Sequence, residues 1–162
     1  MKLIEFCNHI MENKRLKVHI SVILIIHFLL ISGCSFPRII ILDDALTPEE
    51  DIALGVAYEK EGNFDDAIKK YRSAAKKNPV AYFYLGNAYF HKNDLDNAEK
   101  YYKKTIKEKP GYADAYNNLA WLYYVKRVNL EKAESLAEEA LRLNPEKAEV
   151  YLDTLEKIRA IK

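Results

Sequence analysis

The chain has 162 residues, of which 30% are charged and 49% hydrophobic, and this composition is typical of a single soluble domain. Four of the 25 bases and two of the 24 acids lie in residues 1–33, so the rest of the chain carries 21 bases and 22 acids. Because the charges after residue 33 nearly balance, this part of the chain, called the body below, lacks the basic surface that nucleic-acid binding requires. We therefore exclude DNA and RNA as partners.

The N-terminal segment joins a basic stretch to a short apolar run. Lys14, Arg15 and Lys17 precede the run of 14 residues at 18–31. A membrane-spanning helix needs roughly 20 apolar residues, whereas a signal peptide needs fewer. The run ends in Leu30-Ile31-Ser32-Gly33-Cys34, which resembles the lipobox of bacterial lipoproteins.

This resemblance implies that residues 1–33 are a lipoprotein signal peptide, with Met11 as an alternative start, and that Cys34 is acylated and becomes the new N-terminus. Two or three acyl chains anchor a protein stably, whereas one holds it only marginally. The alternative is an uncleaved signal anchor, because His19 and His27 make the run less apolar than most. Both alternatives place the body on the outer side of the inner membrane, because the basic residues precede the apolar run and basic residues stay on the cytoplasmic side. Ser35 is similar to the residue found in lipoproteins sent to the outer membrane, where the body would face the periplasm.

Residues 34–46 are predicted to form an extended tether. Pro37 and the β-branched residues at 39–41 disfavour a helix. The apolar stretch at 39–42 either docks on the first helix pair or lies near lipid. With Cys34 acylated and Cys7 removed, no thiol chemistry remains.

From Thr47 onward the pattern predicts seven helices. Thr47-Pro48-Glu49-Glu50 is a capping box with proline at the first helical position. Gly62 and Asn93 are predicted left-handed helix ends, and Asn63, Asp94 and Asn129 are predicted N-caps. The predicted helices cover residues 48–61, 64–77, 80–92, 95–107, 112–126, 130–143 and 146–160.

One motif recurs three times in these helices. The frames are Ala67/Tyr71/Pro79, Ala98/Tyr102/Pro110 and Ala133/Ala137/Pro145, preceded by Leu54-Gly55, Leu85-Gly86 and Leu119-Ala120. This pattern resembles the tetratricopeptide repeat, and it implies an all-α solenoid of three helical hairpins with a C-terminal capping helix over residues 47–162. Asp51 stands where the family has an aromatic residue, and we expect an exposed first repeat to tolerate it.

The residue inventory argues against an enzyme. After residue 33 the sequence has a single histidine, His91, and no serine lies in the same repeat. We therefore predict no catalytic residues, and also no metal site and no cofactor, because nitrogen and sulfur ligands and glycine-rich phosphate loops are lacking.

The repeat resemblance implies that the first helix of each unit lines a concave groove that binds a peptide or protein. The groove positions fall at Ile52, Val56 and Glu59, at Phe83, Asn87 and Phe90, and at Asn117, Trp121 and Tyr124. The amides would bond a peptide backbone while the rings bury its side chains. These positions carry no lysine or arginine, which disfavours acidic chaperone tails. The alternative is that the C-terminal helix or residues 39–42 cover this face.

The sequence as a whole predicts a lipid-anchored scaffold or adaptor in the bacterial cell envelope. Alternatives are an accessory subunit of an envelope peptidase, suggested by similar repeats attached to some bacterial papain-like peptidases, or of a pilus or outer-membrane assembly machine.

Overall fold

A computed structural model describes residues 46–162 of the chain. The predictions for the signal peptide, Met11, Cys34 and residues 34–45 of the tether lie outside these residues. The described part is formed by α1 (Pro48–Lys60), α2 (Phe64–Ala74), α3 (Ala81–His91), α4 (Leu95–Glu108), α5 (Ala113–Lys126), α6 (Leu130–Leu143), a 3₁₀ turn (Pro145–Lys147) and α7 (Ala148–Ile161). Consecutive helices pair as α1 with α2, α3 with α4 and α5 with α6, and α7 packs on α5 and α6. The predicted all-α solenoid of three hairpins and a capping helix is confirmed.

The first helix begins as predicted. The Thr47 hydroxyl oxygen accepts a hydrogen bond from the Glu50 backbone N–H at 3.2 Å, and the Glu50 carboxylate accepts one from the Thr47 N–H at 2.8 Å. These two reciprocal bonds are the capping box, and Pro48 occupies the first helical position.

The predicted caps are confirmed at some turns only. Gly62 and Asn93 have φ values of 76° and 59°, the left-handed conformation expected of them. Asp94 caps α4 through the Asn97 N–H, but Asn63 and Asn129 make no side-chain cap. Asn63 donates instead to the Asp66 carboxylate, and Asn129 is itself left-handed with φ 50°.

Each hairpin is held together where a residue of its second helix crosses a small residue of its first. A Cβ atom added to Gly55 would lie 2.3 Å from the ring of Tyr71, and one added to Gly86 would lie 2.5 Å from the ring of Tyr102. Such distances are far below ordinary van der Waals contact, so only glycine fits beneath the ring. In the third hairpin Ala120 replaces the glycine, and Ala137 replaces the tyrosine.

The expectation of an exposed Asp51 is wrong. Asp51 is 4% exposed, and its carboxylate lies 3.3 Å from the ammonium of Lys70 on α2. The paired charge explains why an acid is tolerated at a position that is aromatic in the other units.

The C-terminal helix is fastened by charge and by one buried ring. Arg159 bridges Glu134 and Glu138 of α6 at 2.7 Å each, while Tyr151 is 1% exposed and donates to Asp114 of α5 at 2.7 Å. Among the helices of residues 46–162, none is long and apolar enough to cross a lipid bilayer.

Candidate partner-binding groove

The groove prediction concerns residues on the first helix of each hairpin. Ile52 and Val56 lie on α1, Phe83, Asn87 and Phe90 on α3, and Asn117, Trp121 and Tyr124 on α5. All are partly exposed except Asn117, which is 7% exposed. Five of these side chains also pack against the hydrophobic core: Ile52, Val56, Phe83, Phe90 and Tyr124. They therefore stabilise the fold as well as presenting surface to a partner.

Asn87 is the polar centre of this face. Its Oδ1 accepts a hydrogen bond from the Tyr102 hydroxyl at 2.9 Å and another from the Asn118 Nδ2, also at 2.9 Å. The two bonds come from different hairpins, α3–α4 and α5–α6. Because its oxygen is held in this way, the Asn87 amide nitrogen is oriented as a donor in a fixed position.

A pocket of about 240 Å³ opens beside this amide pair. It is lined by Asn87, Phe90, His91, Tyr102, Asn118 and Trp121. The lining therefore joins two amides, one imidazole and one phenol to two large apolar rings. An extended peptide needs this combination, since its backbone requires hydrogen-bond partners and its side chains require apolar surface.

Trp121 forms one wall of the pocket, next to the C-terminal helix. Its ring centroid lies 4.9 Å from that of Tyr124, and the Lys157 ammonium lies 5.3 Å from the Trp121 ring centroid. Trp121 remains half-buried with these neighbours. The C-terminal helix therefore places a lysine over the face of the indole and leaves part of the side chain exposed beside the pocket.

Glu59 supplies the acidic group of the face, on the last turn of α1. Its Oε2 accepts the Tyr71 hydroxyl at 2.7 Å, and its Oε1 is buried without a hydrogen-bond partner. Burial raises the pKa of this carboxyl, opposed by the Tyr71 hydrogen bond and by the charge of His91. The carboxylate is thus held partly desolvated on the groove side of the first unit.

Asn118, Tyr102 and His91 line the pocket although the sequence mapping did not include them. Asn118 and His91 each follow directly after a mapped residue, so a wider stripe on the helix would have included both. Tyr102 comes from the second helix of its hairpin. Its repeat position marked it as a packing residue, and only the structure shows that its hydroxyl reaches Asn87.

Within residues 46–162 there is no group of three or more His, Cys, Asp or Glu side chains placed to hold a metal ion. The raised pKa values of Tyr71 and Tyr102 follow first from burial of their hydroxyls, which belong to the packing described above.

The fold is shared with several solved structures. The first tetratricopeptide domain of Spaghetti (RPAP3), bound to the HSP90 peptide SRMEEVD, is 25% identical with a TM-score of 0.64, covering 70% of this chain and 91% of that one. The second such domain of human RPAP3, in complex with the HSP70 peptide SGPTIEEVD, is 22% identical with a TM-score of 0.61, covering 69% and 98%.

A tetratricopeptide repeat protein of Thermus thermophilus is 23% identical with a TM-score of 0.60, covering 71% of this chain and 66% of that one. No curated protein matches the chain significantly. The model of the tetratricopeptide repeat family matches residues 52–113 and 96–148. Proteins of this kind are generally interaction modules and not enzymes. The chain therefore belongs to the tetratricopeptide repeat family.

Proposed function

We propose that this protein is a lipid-anchored scaffold of the bacterial cell envelope, which binds a peptide segment of a partner protein in the concave groove of its repeats. The observation that carries the binding role is the pocket between α3 and α5, which is lined by the bonded pair Asn87 and Asn118 together with the rings of Phe90 and Trp121. The family supports protein binding in general. The membrane anchor is supported by the basic stretch, the apolar run and the lipobox-like residues before Cys34.

The groove chemistry favours a neutral or basic segment as the partner. The two peptides bound by the RPAP3 domains contain adjacent glutamates and end in aspartate. Here the pocket lining has no lysine or arginine, and the Glu59 carboxylate lies on the groove side of the first unit. An acidic tail would meet this carboxylate and find no lysine or arginine lining the pocket, so like-charge repulsion opposes it.

The binding role can be tested with the single tryptophan of the chain. Trp121 is the only Trp in the sequence and it lines the pocket, so its fluorescence reports occupancy of the groove. The full chain, purified from membranes in neutral detergent, would be screened against immobilised peptide libraries. The peptides that bind would then be titrated into the protein in solution while the shift in Trp121 emission is measured. We expect selected peptides to be neutral or basic and to lose affinity in the Asn118→Ala variant.

A matched control separates the groove from the rest of the surface. Val150 is 58% exposed on α7 and does not line the pocket. Val150→Ala should leave peptide binding unchanged, while Trp121→Ala should abolish crosslinking of the partner in membranes. Peptide binding that survives both Asn118→Ala and Trp121→Ala would show that the groove is not the binding surface. The partner captured by the wild type would also distinguish a scaffold from a subunit of a peptidase or an assembly machine.

The anchor is tested by metabolic labelling. Radioactive palmitate should label the wild-type protein, and Cys34→Ala should abolish the label and leave an uncleaved precursor. Cys7→Ala is the matched control, because it removes the other cysteine and should leave labelling intact. Equal labelling of wild type and Cys34→Ala would refute the lipoprotein assignment without affecting the groove.

A further inference from the structure

A second pocket lies away from the groove residues, between α2 and α4. It has a volume of about 160 Å³ and is lined by Arg72, Ala75, Lys76, Tyr82, Leu85, Tyr101 and Lys104. Three of these side chains are cationic and none is acidic. Such an arrangement suits an anion, and the volume admits one of the size of phosphate.

The three cations are not engaged with carboxylates. Among residues 46–162, neither Arg72 nor Lys76 nor Lys104 forms an ion pair. The carboxylate that acts on the charge of Lys104 is Glu108, one turn further along α4, and it does not line the pocket. Most other lysines on the same two helices differ, since Lys69, Lys70 and Lys103 are each paired.

A stack of three tyrosine rings holds two of the cations in place. Tyr101 lies between Tyr82, at a centroid distance of 6.2 Å, and Tyr89, at 5.4 Å. The Lys104 ammonium lies 4.0 Å from the Tyr82 ring centroid, and Arg72 Nη2 donates to the Tyr89 hydroxyl at 2.6 Å. Arg72 makes this bond through Nη2, and its guanidinium carries further N–H donors. The cost of ordering two long side chains is thus met before any anion binds.

The corresponding place in the next hairpin keeps only part of this arrangement. One repeat further along, Lys103 stands at the position of Arg72, and Leu136 and Glu139 stand at the positions of Tyr101 and Lys104. Lys103 is paired with Glu99 at 2.6 Å, and Glu139 is paired with Arg142 at 2.6 Å. The cluster is therefore a property of the first inter-hairpin junction and not a repeated element of the solenoid.

The cluster is also close to the start of the domain. Asn78, two residues after Lys76, donates to the Glu49 carboxylate in the first turn of α1 at 2.9 Å. Residues 34–46 lead into this turn.

We propose that the pocket formed by Arg72, Lys76, Tyr82, Tyr101 and Lys104 binds a phosphate group, either free or on a lipid headgroup. Arg72 offers paired N–H donors to two phosphate oxygens, and the two lysines supply charge from the other sides. The site requires only described residues, so it stands whether or not the groove binds a peptide and whether or not Cys34 is acylated.

The test uses the full chain in neutral detergent and inorganic phosphate as the first probe, followed by backbone NMR shifts over residues 72–82 and 101–104. We expect saturable shifts, with the phosphate affinity reduced at least about tenfold in Lys104→Gln and in Arg72→Gln. Lys132→Gln is the matched control, because Lys132 is an exposed lysine of α6 outside the pocket and its loss changes the net charge equally. Affinity should be unchanged in this control.

The second probe identifies the source of the phosphate. The same protein would be reconstituted into vesicles of phosphatidylcholine, with or without phosphatidylglycerol, and hydrogen exchange would be measured at residues 75–80. Protection that requires phosphatidylglycerol and is lost in Lys104→Gln would assign the site to a lipid headgroup. Saturable phosphate binding without such protection would assign it to a free phosphate ligand. Non-saturable shifts, or equal losses of affinity in Lys104→Gln and Lys132→Gln, would overturn the proposal.

Discussion

The fit between Gly86 and Tyr102 predicts a specific pattern of stabilities. A Cβ at position 86 would lie 2.5 Å from Cδ1 and Cε1 of a ring that is 2% exposed, so the ring would have to move by about 1 Å in a packed environment. Overpacking of this kind costs about 1–3 kcal/mol, and it acts in the middle hairpin, where fraying of the end cannot relieve it. Alanine also gains about 1 kcal/mol of helix propensity over glycine, so we expect Gly86→Ala to lower the free energy of unfolding by up to about 2 kcal/mol.

The double variant carries the sharper prediction. Tyr102→Ala alone should cost about 3–5 kcal/mol through the cavity it leaves. Once the ring is absent, alanine at position 86 meets no obstacle and gains about 1 kcal/mol of helix propensity over glycine. The double variant should therefore be at least as stable as Tyr102→Ala. Because the helix-propensity gain is the same in both backgrounds and cancels, the favourable coupling equals the steric cost of about 1–3 kcal/mol. The third hairpin already contains this combination, as Ala120 and Ala137.

The assay is urea unfolding of the four proteins, followed by circular dichroism, with the slopes checked for equality. Gly111→Ala is the control, because an added Cβ at Gly111 meets no atom within 4 Å. That control should change stability by less than about 0.5 kcal/mol. If the two single effects add to within about 0.5 kcal/mol, the steric explanation for the repeated glycine is refuted.

Two further predictions concern single side chains of the first hairpin. Burial raises the pKa of Glu59 above the ordinary 4.5, so the folded state binds a proton at this carboxyl more tightly than the unfolded state does. The protonated carboxyl therefore contributes stability at low pH, and this contribution is lost as the pH rises through the folded-state pKa. Glu59→Gln, which keeps an acceptor for Tyr71, should remove this loss, and wild-type stability that does not fall relative to the variant above pH 4.5 would contradict it. Thr47→Ala removes the N-cap and should lower the stability of α1 by about 1 kcal/mol, measured as faster hydrogen exchange confined to that helix. Thr47→Asp keeps a capping oxygen and should retain the protection of α1. Exchange that rises equally in α6 would argue against a local cap.

The helical elements could be predicted from the sequence because their signals are local. The capping box at Thr47 and the left-handed Gly62 and Asn93 depend only on neighbouring residues. Predicted and observed helix ends agree closely except at α2, which ends at Ala74, three residues early. There the chain continues through turns toward Pro79 in place of a further helical turn.

What could not be predicted depends on contacts between side chains, most of them between residues far apart in the sequence. Asn63 and Asp94 occupy the same repeat position, yet only Asp94 caps its helix, because Asn63 bonds a neighbouring carboxylate. The burial of Asp51 required the position of Lys70. In the groove, the mapping placed Asn87 on the correct helix but could not show that Tyr102 and Asn118 fix its orientation. These bonds join residues 15 and 31 positions apart.

The packing of the hairpins and the chemistry of the groove depend on the same tyrosines. Tyr71 and Tyr102 cover Gly55 and Gly86 with their rings, and their hydroxyls emerge beside the groove to bond Glu59 and Asn87. A change in the angle between the helices of a hairpin would move the ring and the hydroxyl together. The packing of the tyrosine rings in the core therefore fixes the positions of Glu59 and Asn87 in the first two units.

The third unit has no such connection, because Ala137 carries no hydroxyl. Its groove residue Trp121 is held by contacts with Tyr124 and with Lys157 of the capping helix. A partner that binds across the pocket would thus meet a fixed amide on α3 and a ring on α5 whose surroundings include an exposed, salt-bridged lysine. Adjustment on binding should therefore concentrate at Trp121 and Lys157, while Asn87 keeps the orientation that the core imposes on it.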